Sequence, residues 1–186
     1  MKCKICGKDS KDKELCTDCY FSKEEKEKRY SFNMIKGRIA ETLIEELFLK
    51  LGYGVFRYGM ENTIPGIMDL LRGVKSEVAH EIRRMPDFVV QNPKNSEVFF
   101  VEVKFREDGC FDKNDSSIKN YPYTNAYFII VSKKHIKCIS YGELARGEAV
   151  TPEDRKYLGN RKEFELDKDT IRDFCTFATK FFSGVD

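Results

Sequence analysis

Residues 98–105 read Val-Phe-Phe-Val-Glu-Val-Lys-Phe. β-branched and aromatic residues dominate the run, which is strand composition rather than helix composition. So dense an apolar run predicts a central strand covered on both faces, and hence an α/β layering of the chain. Glu102 and Lys104 interrupt it two residues apart, so both project from one face. Burying a carboxylate and an ammonium costs several kcal/mol unless they are paired or coordinate something. A structural salt bridge would account for them; so would a site that uses both.

The flanking sequence builds a sheet around that strand. Residues 85–91 (MPDFVVQ) have strand character, and Asn92-Pro93-Lys94-Asn95 is a turn sequence, so 85–91 and 97–105 read as a hairpin. Further strands are expected at 53–60, 126–132 and 135–140, the last two linked by Lys133-Lys134. Apolar residues at 35, 39, 40, 43, 44, 47, 48 and 51 keep helical spacing until Gly52. Thr151-Pro152-Glu153 reads as a helix start with Pro at the first position. A last helix is expected near Asp169, with Ile171, Phe174, Cys175, Ala178, Phe181 and Phe182 on one face. Residues 61–82 read as an insertion with a turn at Pro65-Gly66 and a helical turn at 67–71, and 106–124 as a polar loop with a helical turn.

Cys3, Cys6, Cys16 and Cys19 form C-x2-C-x9-C-x2-C. Each pair can place two thiolates on one ion, and two pairs close a tetrahedral site, the arrangement of structural zinc modules such as treble clefs and zinc ribbons. The alternative is a pair of redox-active dithiols. Gly7 follows the first pair where a tight turn needs positive φ. A segment so short of apolar residues depends on a metal to fold. After it, 22–30 (SKEEKEKRY) predicts a charged helix that Ser22 and Glu25 would cap. These features divide the chain into a zinc-binding module at 1–30 and a main domain at 31–186. Cys138 and Cys175 lie among apolar residues and read as small core residues.

With 186 residues, 41% hydrophobic and with 15 Phe and 9 Tyr, the chain can bury a real core. A net charge of +2 does not announce a nucleic-acid binder, so any grip on phosphates must come from a local basic patch. No apolar stretch follows Met1-Lys2-Cys3-Lys4, and no run is long enough to span a bilayer. The seven cysteines, an odd number, fit a reducing compartment. The expectation is a soluble, cytoplasmic protein without a membrane partner.

Pro86-Asp87, then Glu102-Val103-Lys104 on the next strand, resembles the motif of the PD-(D/E)XK nuclease superfamily, which includes restriction endonucleases and archaeal Holliday-junction resolvases. The likeness covers roughly residues 35–142: a helix with an acidic residue, a strand, the hairpin with the motif, and a further strand pair. It implies a restriction-endonuclease-like core, a central mixed β-sheet flanked by helices, behind the zinc module. It implies also that Asp87, Glu102 and the carbonyl of Val103 hold Mg²⁺ or Mn²⁺, and that Lys104 orients or deprotonates the attacking water. On the first core helix the resemblance asks for a further acid, for which Glu41 is favoured and Glu45 is the rival. Asp69 competes with Asp87 for the metal role, and Lys119 is a candidate phosphate contact. His80 and His135 receive no role.

The function expected on these grounds is metal-dependent hydrolysis of nucleic acid, most naturally DNA, by an endonuclease. Two alternatives stay open: a catalytically silent nucleic-acid-binding protein, and a zinc-module adaptor for another protein. The aromatic last helix would serve internal packing or a homodimer. Whether DNA or RNA is cut, and at which structure, does not follow from the residues.

Overall fold

A computed structural model describes residues 2–9, 17–59 and 66–184, with backbone alone at 17, 18, 21 and 68. Its elements in chain order are α1 (Thr17–Lys50), β1 (Gly54–Arg57), α2 (Ile67–Leu70), α3 (Glu77–Arg83), β2 (Phe88–Gln91), β3 (Val98–Phe105), β4 (Ala126–Val131), β5 (Ile136–Ser140), α4 (Tyr141–Ala145) and α5 (Lys168–Ser183). The chain divides into two compact units, 1–38 and 39–186.

In the first unit, Lys2 and Asp9 form a β-bridge, and the Cys3 N–H donates to the Lys8 carbonyl at 2.8 Å. Gly7 takes a φ of 72°, the conformation its place after the cysteine pair calls for. The helix begins at Thr17, so Ser22 lies inside it and not at its cap. The two expected helices, at 22–30 and 35–51, are one. Residues 31–34 (Ser-Phe-Asn-Met) contain neither Gly nor Pro to interrupt it, and the pairs Lys23–Glu27 and Glu24–Lys28 brace its charged turns.

The second unit is a five-stranded mixed sheet flanked by helices, in the order β1-β2-β3-β4-β5. β3 is its central strand, antiparallel to β2 and parallel to β4; the outer pairs are antiparallel. One face carries Phe88, Val90, Val101, Val103, Ile129, Val131, Ile136 and Cys138. It packs against Ala40, Leu43, Ile44, Leu47 and Phe48 of α1 and against Ile171, Ala178 and Phe182 of α5. The other face carries Phe128, Ile130 and Ile139 and packs against Phe111, Ile118 and Tyr121 of the 106–125 crossover and Leu144 of α4. The crossover is extended and turned; Arg106 pins it by an ion pair with Asp115 (2.6 Å) while lying over the Phe111 ring.

The helix expected at Thr151 is corrected. No helix starts at Thr151. The Asp154 carboxylate accepts the N–H groups of Thr151 (2.5 Å) and Lys156 (2.7 Å), and the carbonyls of Thr151, Pro152 and Asp154 turn onto the Lys137 ammonium. Those carbonyls are thereby withdrawn from any helical ladder. A short helix not expected from the sequence, α4, follows β5 directly, with Ser140 and Glu143 forming a capping box. Within the insertion, α2 lies where the sequence reads as a helical turn, and with α3 it closes a small cluster of Leu71, Ala79, Ile67 and Ile82. Residues 60–65, where the insertion begins, lie outside the described residues. The last helix starts at Lys168, directly after its N-cap Asp167, whose carboxylate accepts the Thr170 N–H at 2.8 Å. Among the described residues no helix is long and apolar enough to cross a membrane.

Candidate functional site

The site grows out of a mismatch in strand length. β2 begins at Phe88, paired with Val101, so the next register position sets Asp87 opposite Glu102 just where β2 ends. β3 continues to Phe105 along β4, which leaves its edge beyond Val101 without a strand on the β2 side. Asp87 fills that edge with a side chain: its Oδ2 accepts the Val103 N–H at 2.7 Å. In an extended strand the N–H and C=O of one residue face the same neighbour, so the Val103 carbonyl also faces the Asp87 side. The Asp87 carbonyl in turn accepts the N–H groups of Tyr58 (2.9 Å) and Gly59 (3.2 Å), which anchors the end of β1.

Glu102 and Lys104 share the face of β3 opposite α1 and form an ion pair through Oε1 and Nζ. Their side chains are 11% and 21% exposed, so the pair sits at the rim of the covered region, reachable from solvent. Tyr121, from the crossover, directs its hydroxyl at Glu102 Oε2 (3.5 Å). Burial pushes the Asp87 carboxyl well above its usual range, and the neighbouring Glu102 charge adds to this against the pull of Lys104. Burial acts to lower the Lys104 pKa, but Glu102 and Asp87 outweigh it and hold the ammonium above its ordinary value. Burial, then the charges of Glu102 and Asp87, also raises the Tyr121 phenol, so it stays a hydrogen-bond donor. The cluster thus gathers two carboxylates, one ammonium and one phenol at the strand edge.

Comparison with protein-family models, curated proteins and solved structures finds no match for this chain. The site therefore stands on its own geometry.

Of the two candidate acids on α1, Glu45 is engaged by Arg57, whose guanidinium grips both its oxygens (Nε to Oε1, 2.9 Å). Glu41, one turn earlier, bears on the site through its charge, which acts on both Asp87 and Arg57. Asp69 pairs with Arg72 at 2.7 Å in solvent and has no part in the cluster. Lys119 is exposed on the crossover. His80 faces the Asn120 carbonyl at 2.8 Å, and His135 packs edge-on to Tyr157. Sequence reasoning missed Tyr121 and Arg57, since neither belongs to a spacing pattern; only the crossover and the β1 register bring them in.

The Cys3, Cys6 and Cys19 ligand atoms all lie within 4.8 Å of one another, close enough to hold one metal ion. Cys16 lies outside the described residues. Among the described residues no other group of three or more metal-binding side chains gathers so closely, so Glu41, Asp87 and Glu102 do not converge to that distance. Cys138 is fully buried and its thiol is pushed up to about 12 by that burial, which fits a core residue rather than a ligand.

Proposed function

We propose that this chain is a metal-dependent nuclease of the PD-(D/E)XK kind, with a restriction-endonuclease-like core, hydrolysing phosphodiester bonds in nucleic acid, DNA foremost. The observation that carries the reading is Asp87 standing opposite Glu102, bonded to the Val103 main chain, with Lys104 on the same solvent-reachable rim.

The donor set fits a hard divalent ion. Asp87, Glu102 and the Val103 carbonyl are all oxygen ligands, as Mg²⁺ or Mn²⁺ requires, and a cation there would offset the burial and the neighbouring Glu102 charge that raise the Asp87 carboxyl. When bound, such an ion supplies Lewis-acid polarisation of a phosphate oxygen and a more acidic water. The chain's own residues do the rest. The Asp87–Val103 bond fixes the carboxylate at the strand edge, and Tyr121 orients Glu102. Lys104 is held as an ammonium by its two carboxylates, so it steadies the negative charge that builds on phosphorus-bound oxygens and orients the attacking water. Glu41 adds a further carboxylate charge, from α1, that reinforces the demand for a cation. The cluster of Cys3, Cys6 and Cys19 fits a structural zinc ion, for which the spacing of the sequence offers Cys16 as the fourth ligand.

The test offers purified protein with Mg²⁺ or Mn²⁺ to single-stranded, duplex, flapped and four-way-junction DNA and to RNA. Cleavage that disappears in Asp87→Ala and Glu102→Ala is expected. No cleavage of any substrate, or cleavage that survives both substitutions, would sink the proposal. Zinc is tested apart: metal analysis should find one ion per chain, strongly reduced in Cys16→Ser.

A further inference from the structure

The sheet face that bears Glu102 and Lys104 is covered unevenly. Over β4 and β5 the crossover and α4 bury Phe128, Ile130 and Ile139 completely. Over β1 and the start of β3 the same face lies open: Phe56 is 74% exposed and Val98 58%. The register Phe56–Val89–Phe100 puts both phenylalanines in one row on this face. Tyr58 brings its ring to 5.7 Å from Phe100, and the Phe100 ring lies 5.3 Å from Tyr123. Tyr123 is 5.9 Å from Tyr121, whose hydroxyl reaches Glu102. A band of rings thus runs from the exposed edge strand to the carboxylates.

Folding does not explain an open Phe on an edge strand, where it is a liability for aggregation. A ligand with flat apolar faces would. We propose that the band is a stacking shelf for the unpaired bases of a single-stranded nucleic acid whose backbone passes over Asp87, Glu102 and Lys104; this rests on the nuclease reading. A strand with a phosphate at Lys104 that runs back along β3 past Glu102 comes to Phe100, on the same face four residues away, and then to Tyr58 and Phe56. Every base has a π-face, so rings hold a strand without regard to sequence, and tyrosine hydroxyls suit the polar base edges. Bases of a duplex are stacked on each other and cannot offer their faces, which selects single strands. Exposed Lys119, two residues from Tyr121, suits the backbone, while Glu81, whose charge acts on Tyr123, keeps phosphates off the outer rim.

The full chain contains no tryptophan, so Phe56→Trp places a lone indole on the shelf. Without added divalent ions, a short oligothymidylate should quench its emission, with a Kd at least roughly tenfold below that of a duplex of the same length. In the otherwise unaltered chain, Phe56→Ala should weaken labelled single-strand binding, read by fluorescence anisotropy, by about tenfold. Equal affinity for duplex and single strand, or no response to Phe56→Ala, overturns the shelf. So does self-association in sedimentation that Phe56→Ala abolishes while the oligonucleotide leaves the indole unquenched, since a second copy is then the occupant. Quenching needs no turnover. Quenching without cleavage therefore keeps the shelf and removes the nuclease, whereas cleavage without quenching removes the shelf alone.

Discussion

Lys104 and Lys137 stand in one row across the sheet, on the same face, with Ile130 between them. Lys137 is 2% exposed. Its ammonium donates to the carbonyls of Thr151, Pro152 (3.1 Å) and Asp154 (2.9 Å) and pairs with the Asp154 carboxylate (3.2 Å). Three N–H donors meet four oxygens from one turn, so the group is spent on holding that turn. Lys104 keeps an edge in solvent and faces the carboxylate of Glu102, with Asp87 beside it. Its partners are charges that a bound cation would redirect. Burial of a lysine therefore says little about its use; what decides is whether its partners are backbone of the fold or acids at an open rim.

The comparison breaks if the two lysines behave alike. Lys104→Met should lower cleavage by about 10²–10⁴-fold, the usual worth of a positioned proton-handling or charge-stabilising group. In the same assays Lys137→Met should leave turnover per folded molecule unchanged. Its loss appears in stability: about 3–5 kcal/mol, because Asp154 is left partly buried without its cation. Thermal melting would show that as roughly ten degrees, and Lys104→Met should cost clearly less.

Acid–base titration of stability sharpens the contrast between strained and satisfied carboxylates. Asp87 has its folded pKa raised, so its contribution is present at low pH and is lost as pH rises from the ordinary carboxylate range through that raised value. Asp87→Asn should make the metal-free protein more stable at neutral pH and flatten that slope, as read from urea midpoints across pH. Glu143 is the opposite case. Burial alone would raise it, but hydrogen bonds from Arg161 and Ser140 bring it down to about 2. Its contribution is present above the ordinary glutamate pKa and is lost as pH falls through about 2, so Glu143→Gln should cost stability at pH 7 and little in strong acid. The smallest effects belong to α1. Glu41→Gln should reduce cleavage by about tenfold through charge alone. Glu45→Gln should leave cleavage within about twofold and cost at most about 1 kcal/mol, the worth of a partly exposed ion pair with Arg57.

Much of this was legible in the chain. The strand at 98–105, the hairpin before it and the pair at 126–131 and 136–140 follow from period and turn chemistry, which are local. The helix expected at Thr151 failed because a distant residue, Lys137, claims the carbonyls that a helix would have used. Tyr121 escaped notice for a similar reason, since its relevance depends on where a crossover without regular structure comes to lie. The choice between Glu41 and Glu45 was open in the sequence, as both lie on one edge of a helix; Arg57, arriving on β1, engages one of them.

For Glu102 and Lys104, alternation along a strand was enough to put both on one face, whatever the rest of the chain did. The cysteine spacing likewise sufficed to announce a cluster, which Cys3, Cys6 and Cys19 form. What only the tertiary structure decided is why Asp87 joins them. Pairing of β2 with β3 stops at Phe88 and Val101, the β3 edge beyond it needs an acceptor, and Asp87, the next residue, supplies one. Strand ends are set by pairing between distant segments, and no local pattern encodes where a pairing stops.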